Sequence, residues 1–180
     1  MMRFEEIKKN VQKGDVILSY NTENLLSLAI ATVTESKWSH VFLYLGSGNI
    51  LESVIGGVQI SPLKKYFKPY YNLCLLRHKH ITRRDANRVT KSAVKYVGYD
   101  YGYLQLFWYL FLRLIKRSED PMWQMDIEDS AMVCSEAIAQ AYQDVGLVIK
   151  PGFKPAGMEP ADFYESPFFD KIVEVIDDGN

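Results

Sequence analysis

The chain has 180 residues and a formal net charge of -1. That is the length of one domain, since domains commonly run to about 100–200 residues, and one domain over 1–180 is expected. With 48% hydrophobic and 24% charged residues it has a soluble globular composition. Nothing in its bulk charge points to nucleic acid as a partner. Two cysteines, Cys74 and Cys134, are too few for a disulfide framework, although one pair could form in principle.

MMRFEEIKKNVQKGD (Met1 to Asp15) has no apolar core of signal-peptide length. It reads as a short charged helix, and a cytoplasmic location is expected unless another route exports the protein. GDVILSY (Gly14 to Tyr20) reads as a strand entered through a Gly-Asp turn. NTENLLSLAIATVT follows, with Leu25, Leu28, Ala29 and Thr32 at helical spacing. VFLYL, NILES and GGVQI read as three short antiparallel strands, punctuated by LGSGN (Leu45 to Asn49) and VIGG (Val54 to Gly57). SPLKKYF is a turn with a short helix, and NLCLLRH is another strand, in which Cys74 serves as a small core hydrophobe.

ITRRDANRVTKSAVKYVG predicts a helix. Thr82 and Asp85 form a capping-box pair at its start. Ala86, Val89, Ala93, Val94 and Val97 make its apolar face, and Gly98 stops it. YLQLFWYLFLRLI (Tyr103 to Ile115) is the most apolar run, but it is shorter than the roughly twenty residues a membrane span needs. With the polar loop after it, this helical insertion (103–130) reads as core, a homodimer contact, a cap over a cleft, or a segment meeting a membrane surface. AMVCSEAIAQAYQDVG predicts a second helix with Cys134, Ala137, Ile138, Ala141, Tyr142 and Val145 on one stripe, closed by Gly146. The Gly- and Pro-rich stretch KPGFKPAGMEPADFYESP reads as an extended surface wrap, and KIVEVI as a final strand.

Cys134 falls in the first turn of its helix, on the inward stripe. The partial positive charge of a helix N-terminus stabilises a thiolate and lowers its pKa. The competing reading is a small buried residue at a helix start. A cysteine nucleophile needs a base within hydrogen-bond reach. His40, at the mouth of an apolar strand in WSHVFLYLG, is the candidate; a histidine that only caps the strand is the alternative. His78 and His80 in RHKH could share a metal, but no second ligand cluster accompanies them, and no metal or organic cofactor is expected. Glu52, inside the apolar strand NILES, would be costly to bury unpaired. It is the candidate for orienting the imidazole, and a solvent-facing carboxylate is the alternative.

GDVILSY, WSHVFLYLG with ILES, YVGYDYGY and VCSEAIAQAYQDVG, in that order, resemble the YiiX/YebB-like cysteine hydrolases. These are circularly permuted members of the NlpC-type, papain-like superfamily, related to lecithin:retinol acyltransferase. The resemblance runs from Gly14 to about Gly146 and implies an α+β fold: an antiparallel, barrel-like meander packed against helices, with the nucleophile at a helix N-terminus. Permutation accounts for His40 preceding Cys134. The resemblance implies Cys134 as nucleophile, His40 as general base and acid, and Glu52 as the orienting third residue. A backbone N–H at the Cys134 helix would donate to an oxyanion, with Tyr20 as a further donor. Asp15, Trp38 and Ser39 are expected to line the cleft.

The implied activity is hydrolysis of an amide in a small peptide or acyl-amide substrate of cell-wall (muropeptide) type, through an acyl-enzyme. A lipid acyl hydrolase or acyltransferase using the same triad is the first alternative. A binding module that keeps the fold without catalysis is the second.

Overall fold

The computed structural model describes residues 4–54, 56–101, 131, 132 and 134–176. The apolar run 103–115 and the loop after it, read above as core, dimer contact, cap or membrane-facing segment, lie outside the described residues.

Six strands form one antiparallel sheet: β1 (Val16–Asn21), β2 (His40–Gly46), β3 (Asn49–Val54), β4 (Gly57–Pro62), β5 (Tyr71–His78) and β8 (Phe169–Val175). Their spatial order is β4-β3-β2-β1-β5-β8, so the sheet is open at β4 and β8. The β2–β3–β4 meander follows the predicted turns. A short parallel pair, β6 (Asp100–Tyr101) with β7 (Ala131–Met132), lies against β4. Gly57 permits this approach: its φ is +100°, and a Cβ there would come within 2.4 Å of the Tyr99 carbonyl oxygen.

Alternation along the strands feeds two cores, one on each face. Val16, Leu18, Val41, Leu43, Leu51, Cys74 and Leu76 belong to the first. They pack under α3 (Arg83–Val94) and α4 (Cys134–Gln143). Ile17, Phe42, Ile50, Leu73 and Leu75 belong to the second. This face is covered by Phe4 and Ile7 around α1 (Glu5–Asn10) and by Leu63 and Tyr66 of a 3₁₀ turn (Leu63–Tyr66). The predicted stripe of α4 is buried from Cys134 through Tyr142, with Val145 partly buried at its end. The Tyr142 hydroxyl donates to the Gly14 carbonyl at 2.6 Å, tying this helix to the start of β1.

Three local expectations change. The Thr82–Asp85 capping box forms, but α3 ends at Val94, and Val94 and Val97 are exposed; its inward stripe is Ala86, Val89, Thr90 and Ala93. The expected extended wrap contains α5 (Pro160–Glu165), nucleated by a Glu159–Asp162 capping box with Pro160 in the first turn. In α2 (Leu25–Val33) the apolar spacing marks the outward side: Leu25, Leu28, Ala29 and Thr32 are exposed, while Ser27 is buried.

Candidate active site

His40 pairs with Ser19 of β1 as the first residue of β2. It shares strand parity with Phe42, and its ring lies 5.8 Å from the Phe42 ring and 6.2 Å from that of Tyr66. Glu52 shares parity with Ile50 on β3. Both side chains therefore project to the second face of the sheet, beneath the 3₁₀ turn. Cys134 belongs to the first core and comes from the other side. The two sides meet where β2 and β3 separate. Their pairing runs from Gly46↔Asn49 through Leu43↔Leu51 and goes no further, while β3 stays paired to β4 as far as Val54. Cys134 meets His40 at this opening, where the imidazole and the backbone N–H groups of Val41 and Ser135 all favour its thiolate, while His40 Nε2 has no hydrogen-bond partner among the described residues.

The electrostatics favour an ion pair. Burial opposes charge on the sulfur, but the His40 charge and the two N–H donors hold the Cys134 pKa below that of an ordinary thiol. Burial likewise opposes the imidazolium, yet Cys134 and Glu52 raise the His40 pKa to about 9. The arrangement can hold a thiolate and an imidazolium together at neutral pH. Cys74, by contrast, is buried in the strand with its pKa pushed up to about 12; it is an inert core thiol.

Glu52 is fully buried. Its Oε2 lies 3.6 Å from His40 Nε2, an ion-pair contact just longer than a hydrogen bond. The same Oε2 accepts from the Tyr66 hydroxyl, and Oε1 accepts from Lys65 Nζ. Burial alone would raise the Glu52 pKa, but His40, Lys65, Ser61 and Tyr66 lower it to about 2. Tyr66 shifts the opposite way, because burial and the neighbouring carboxylate disfavour its phenolate; it is a neutral donor. Lys65 and Tyr66 were not candidates in the sequence reading. The signal available was the charge requirement itself: a carboxylate predicted inside an apolar strand needs a cation and donors nearby.

A family model described as "Permuted papain-like amidase enzyme, YaeF/YiiX, C92 family" matches residues 10–107. The chain belongs to this family. The match includes His40 and Glu52 and ends before Cys134. The chain is 34% identical over 94 residues to the probable lipoprotein peptidase YaeF of Escherichia coli strain K12, an alignment covering 51% of this chain and 34% of that protein. In structure it is similar to the crystal structure titled metalloprotein yiiX from Escherichia coli O157:H7. That likeness has a TM-score of 0.67 at 17% identity and covers 91% of this chain and 97% of the other, so the fold is the permuted papain-like one. The description of the C92 family is of a permuted papain-like amidase.

The neighbour's title calls it a metalloprotein. Among the described residues of this C92 chain, no group of three or more His, Cys, Asp or Glu could hold a metal ion. His78 Nε2 bonds the Val148 carbonyl, and its Nδ1 accepts from the His80 backbone, so both nitrogens are engaged in structure.

The expected cleft residues lie as follows, beginning with Asp15. It lies at the far end of β1 from Ser19, buried, with its two oxygens held by Arg77 at 2.8 and 2.7 Å and by the Gln12 backbone N–H at 2.7 Å. It is a structural carboxylate. Ser39 is buried, its hydroxyl lies 2.6 Å from Ser27 Oγ, and it reaches the Ser19 carbonyl. Trp38 is 1% exposed and packs on Tyr164 at 5.7 Å, so it supports the strand mouth and presents no open surface. Tyr20 is half-buried against the core that contains Cys134, one residue beyond His40's partner Ser19.

Proposed function

We propose that the protein is a thiol hydrolase that cleaves an amide through an acyl-enzyme on Cys134, with His40 as general base and acid and Glu52 orienting the imidazole. The observation that carries this reading is the meeting of three buried groups: Glu52 lies 3.6 Å from His40 Nε2, and Cys134 and His40 are close enough to shift each other's pKa. The Cys134 thiolate attacks the amide carbonyl carbon and forms a C–S bond. Backbone N–H groups in the first turn of α4 would stabilise the resulting oxyanion, with Tyr20 as a further donor. The imidazolium gives its proton to the leaving nitrogen as the C–N bond breaks. Neutral His40 then takes a proton from water, whose oxygen attacks the thioester. The C–S bond breaks, and thiolate and imidazolium are restored.

The substrate class implied by the NlpC-type resemblance is a small cell-wall peptide. A soluble muropeptide containing a γ-D-glutamyl–diamino acid amide tests this. Turnover should vanish in Cys134→Ala, and the parent should accumulate a mass adduct on Cys134 at early times. Binding of this muropeptide without turnover, equal in parent and Cys134→Ala, would instead establish a binding module.

One observation favours the second reading, a lipid acyl substrate. The helix α2 exposes 83% of Leu25 and 50% of Leu28 while Ser27 faces inward to Ser39, the neighbour of His40. A surface helix ordinarily turns its apolar side to the core. This apolar rim stands at the His40 end of the sheet.

A further inference from the structure

Four charges lie in sequence through the site, and they alternate: Lys65, Glu52, His40, Cys134. The last three are set in the protein body, and Lys65 reaches them from the exposed side of the 3₁₀ turn, with its side chain 37% exposed. Without Lys65 the remaining groups in their ionised forms would carry a net charge of -1 in a site largely shielded from water, an arrangement that buried ion clusters disfavour. The carboxylate would also act on the imidazolium undiminished. A general acid works best when its pKa lies near the operating pH, and a bare carboxylate 3.6 Å away holds a proton on His40 too firmly for ready release to a leaving amine.

We propose that Lys65 is a positioning and tuning residue of this site: it fixes Glu52 Oε1 and draws part of the carboxylate's charge away from His40, so that the imidazolium forms yet still yields its proton. The inference rests on the Cys134–His40 pair proposed above. Tyr66 completes the device by holding Oε2, the oxygen that faces His40. Its ring is fixed by stacking on Phe42 at 4.4 Å and by an edge contact to Tyr71 at 4.9 Å. Among the described residues, the titratable and charged groups facing this cluster are Lys65 and Tyr66 from the 3₁₀ turn, Tyr71 from β5, His40 from β2 and Cys134 from α4. Burial raises the pKa of both tyrosines, so neither carries charge near neutral pH, and Lys65 is the cation that balances Glu52.

The test needs no substrate. The His40 midpoint is read by NMR titration of protein carrying ¹⁵N-labelled histidine, and the thiol midpoint by the pH dependence of iodoacetamide alkylation at Cys134. Removing a positive charge makes the site more negative, which favours the imidazolium and disfavours the thiolate, so Lys65→Met should move both midpoints upward. His40 is nearer to Lys65 and should move more, by about one pH unit. Lys65→Arg should leave both where they are in the parent. Lys65→Gln provides the same loss of charge if Lys65→Met melts at a lower temperature. Unmoved midpoints in both neutral variants, or a downward shift, would overturn the role of Lys65 while leaving the Cys–His pair standing. If the parent thiol titrates like an ordinary cysteine and His40→Ala does not alter it, the pair itself fails and this inference falls with it.

Discussion

Cys134 raises the His40 pKa and His40 lowers that of Cys134, so the two set opposite limits on activity. Below the thiol's lowered pKa the sulfur is protonated and cannot attack. Above about 9 the imidazole loses the proton that the leaving nitrogen needs. Amide hydrolysis should therefore fall on both sides, with its alkaline limb near 9, whereas alkylation of Cys134, which needs only the thiolate, should persist above that limb. Parallel pH profiles of the two reactions check this, and a shared alkaline decline would count against His40 as the acid. Glu52→Gln keeps the shape of the side chain and removes the charge. Hydrolysis should drop about a hundredfold, within the range of general acid–base effects. The alkaline limb should also move down, because the carboxylate that favours the imidazolium is gone.

At the scale of elements, the site depends on where α4 begins. Its first residue is Cys134, and its body is anchored just over two turns later by the buried bond from Tyr142 to the Gly14 carbonyl. Tyr142→Phe removes that bond, leaves a buried carbonyl without its donor, and should destabilise the fold by about 1–2 kcal/mol. Thermal or urea denaturation should register the loss while the Cys134 alkylation profile keeps its midpoint. The helix stripe, the β2–β3–β4 meander and the Thr82 cap were legible because they depend on residues close in sequence. His40, Glu52 and Cys134 stood out in the sequence as titratable types in apolar settings, and the family resemblance grouped them. Lys65 and Tyr66 were not, because their contact with Glu52 spans thirteen and fourteen residues and requires the 3₁₀ turn to fold back across the sheet. The ion pair of Asp15 was hidden for a related reason. Its partner Arg77 is 62 residues away, and nothing near Asp15 in the chain shows that β5 lies beside β1. The exposed side of α2 was misleading because helical spacing identifies an apolar side without saying which way it turns.

The whole molecule gathers its chemistry at one end of the sheet. Ser19 of β1 pairs with His40 there, and the chain passes directly into α2, whose leucines face outward. Asp15 and Arg77 stabilise the opposite end. The two substrate readings assign different work to this apolar rim. For a soluble peptide amide the rim is a bystander, so Leu25→Ser with Leu28→Ser should change kcat/KM by no more than about twofold, as exposed substitutions usually do. Phosphatidylcholine vesicles should leave that rate unchanged. For a lipid-borne acyl group the rim would meet the bilayer, since an exposed apolar helix face gains by burial at a lipid interface. The same pair of substitutions would then suppress turnover on vesicles while sparing soluble thioesters. The amide reading predicts the first pattern. Measuring parent and double variant on a soluble muropeptide and on phosphatidylcholine vesicles separates the two, because Cys134→Ala is inactive under both readings and only the dependence on α2 differs.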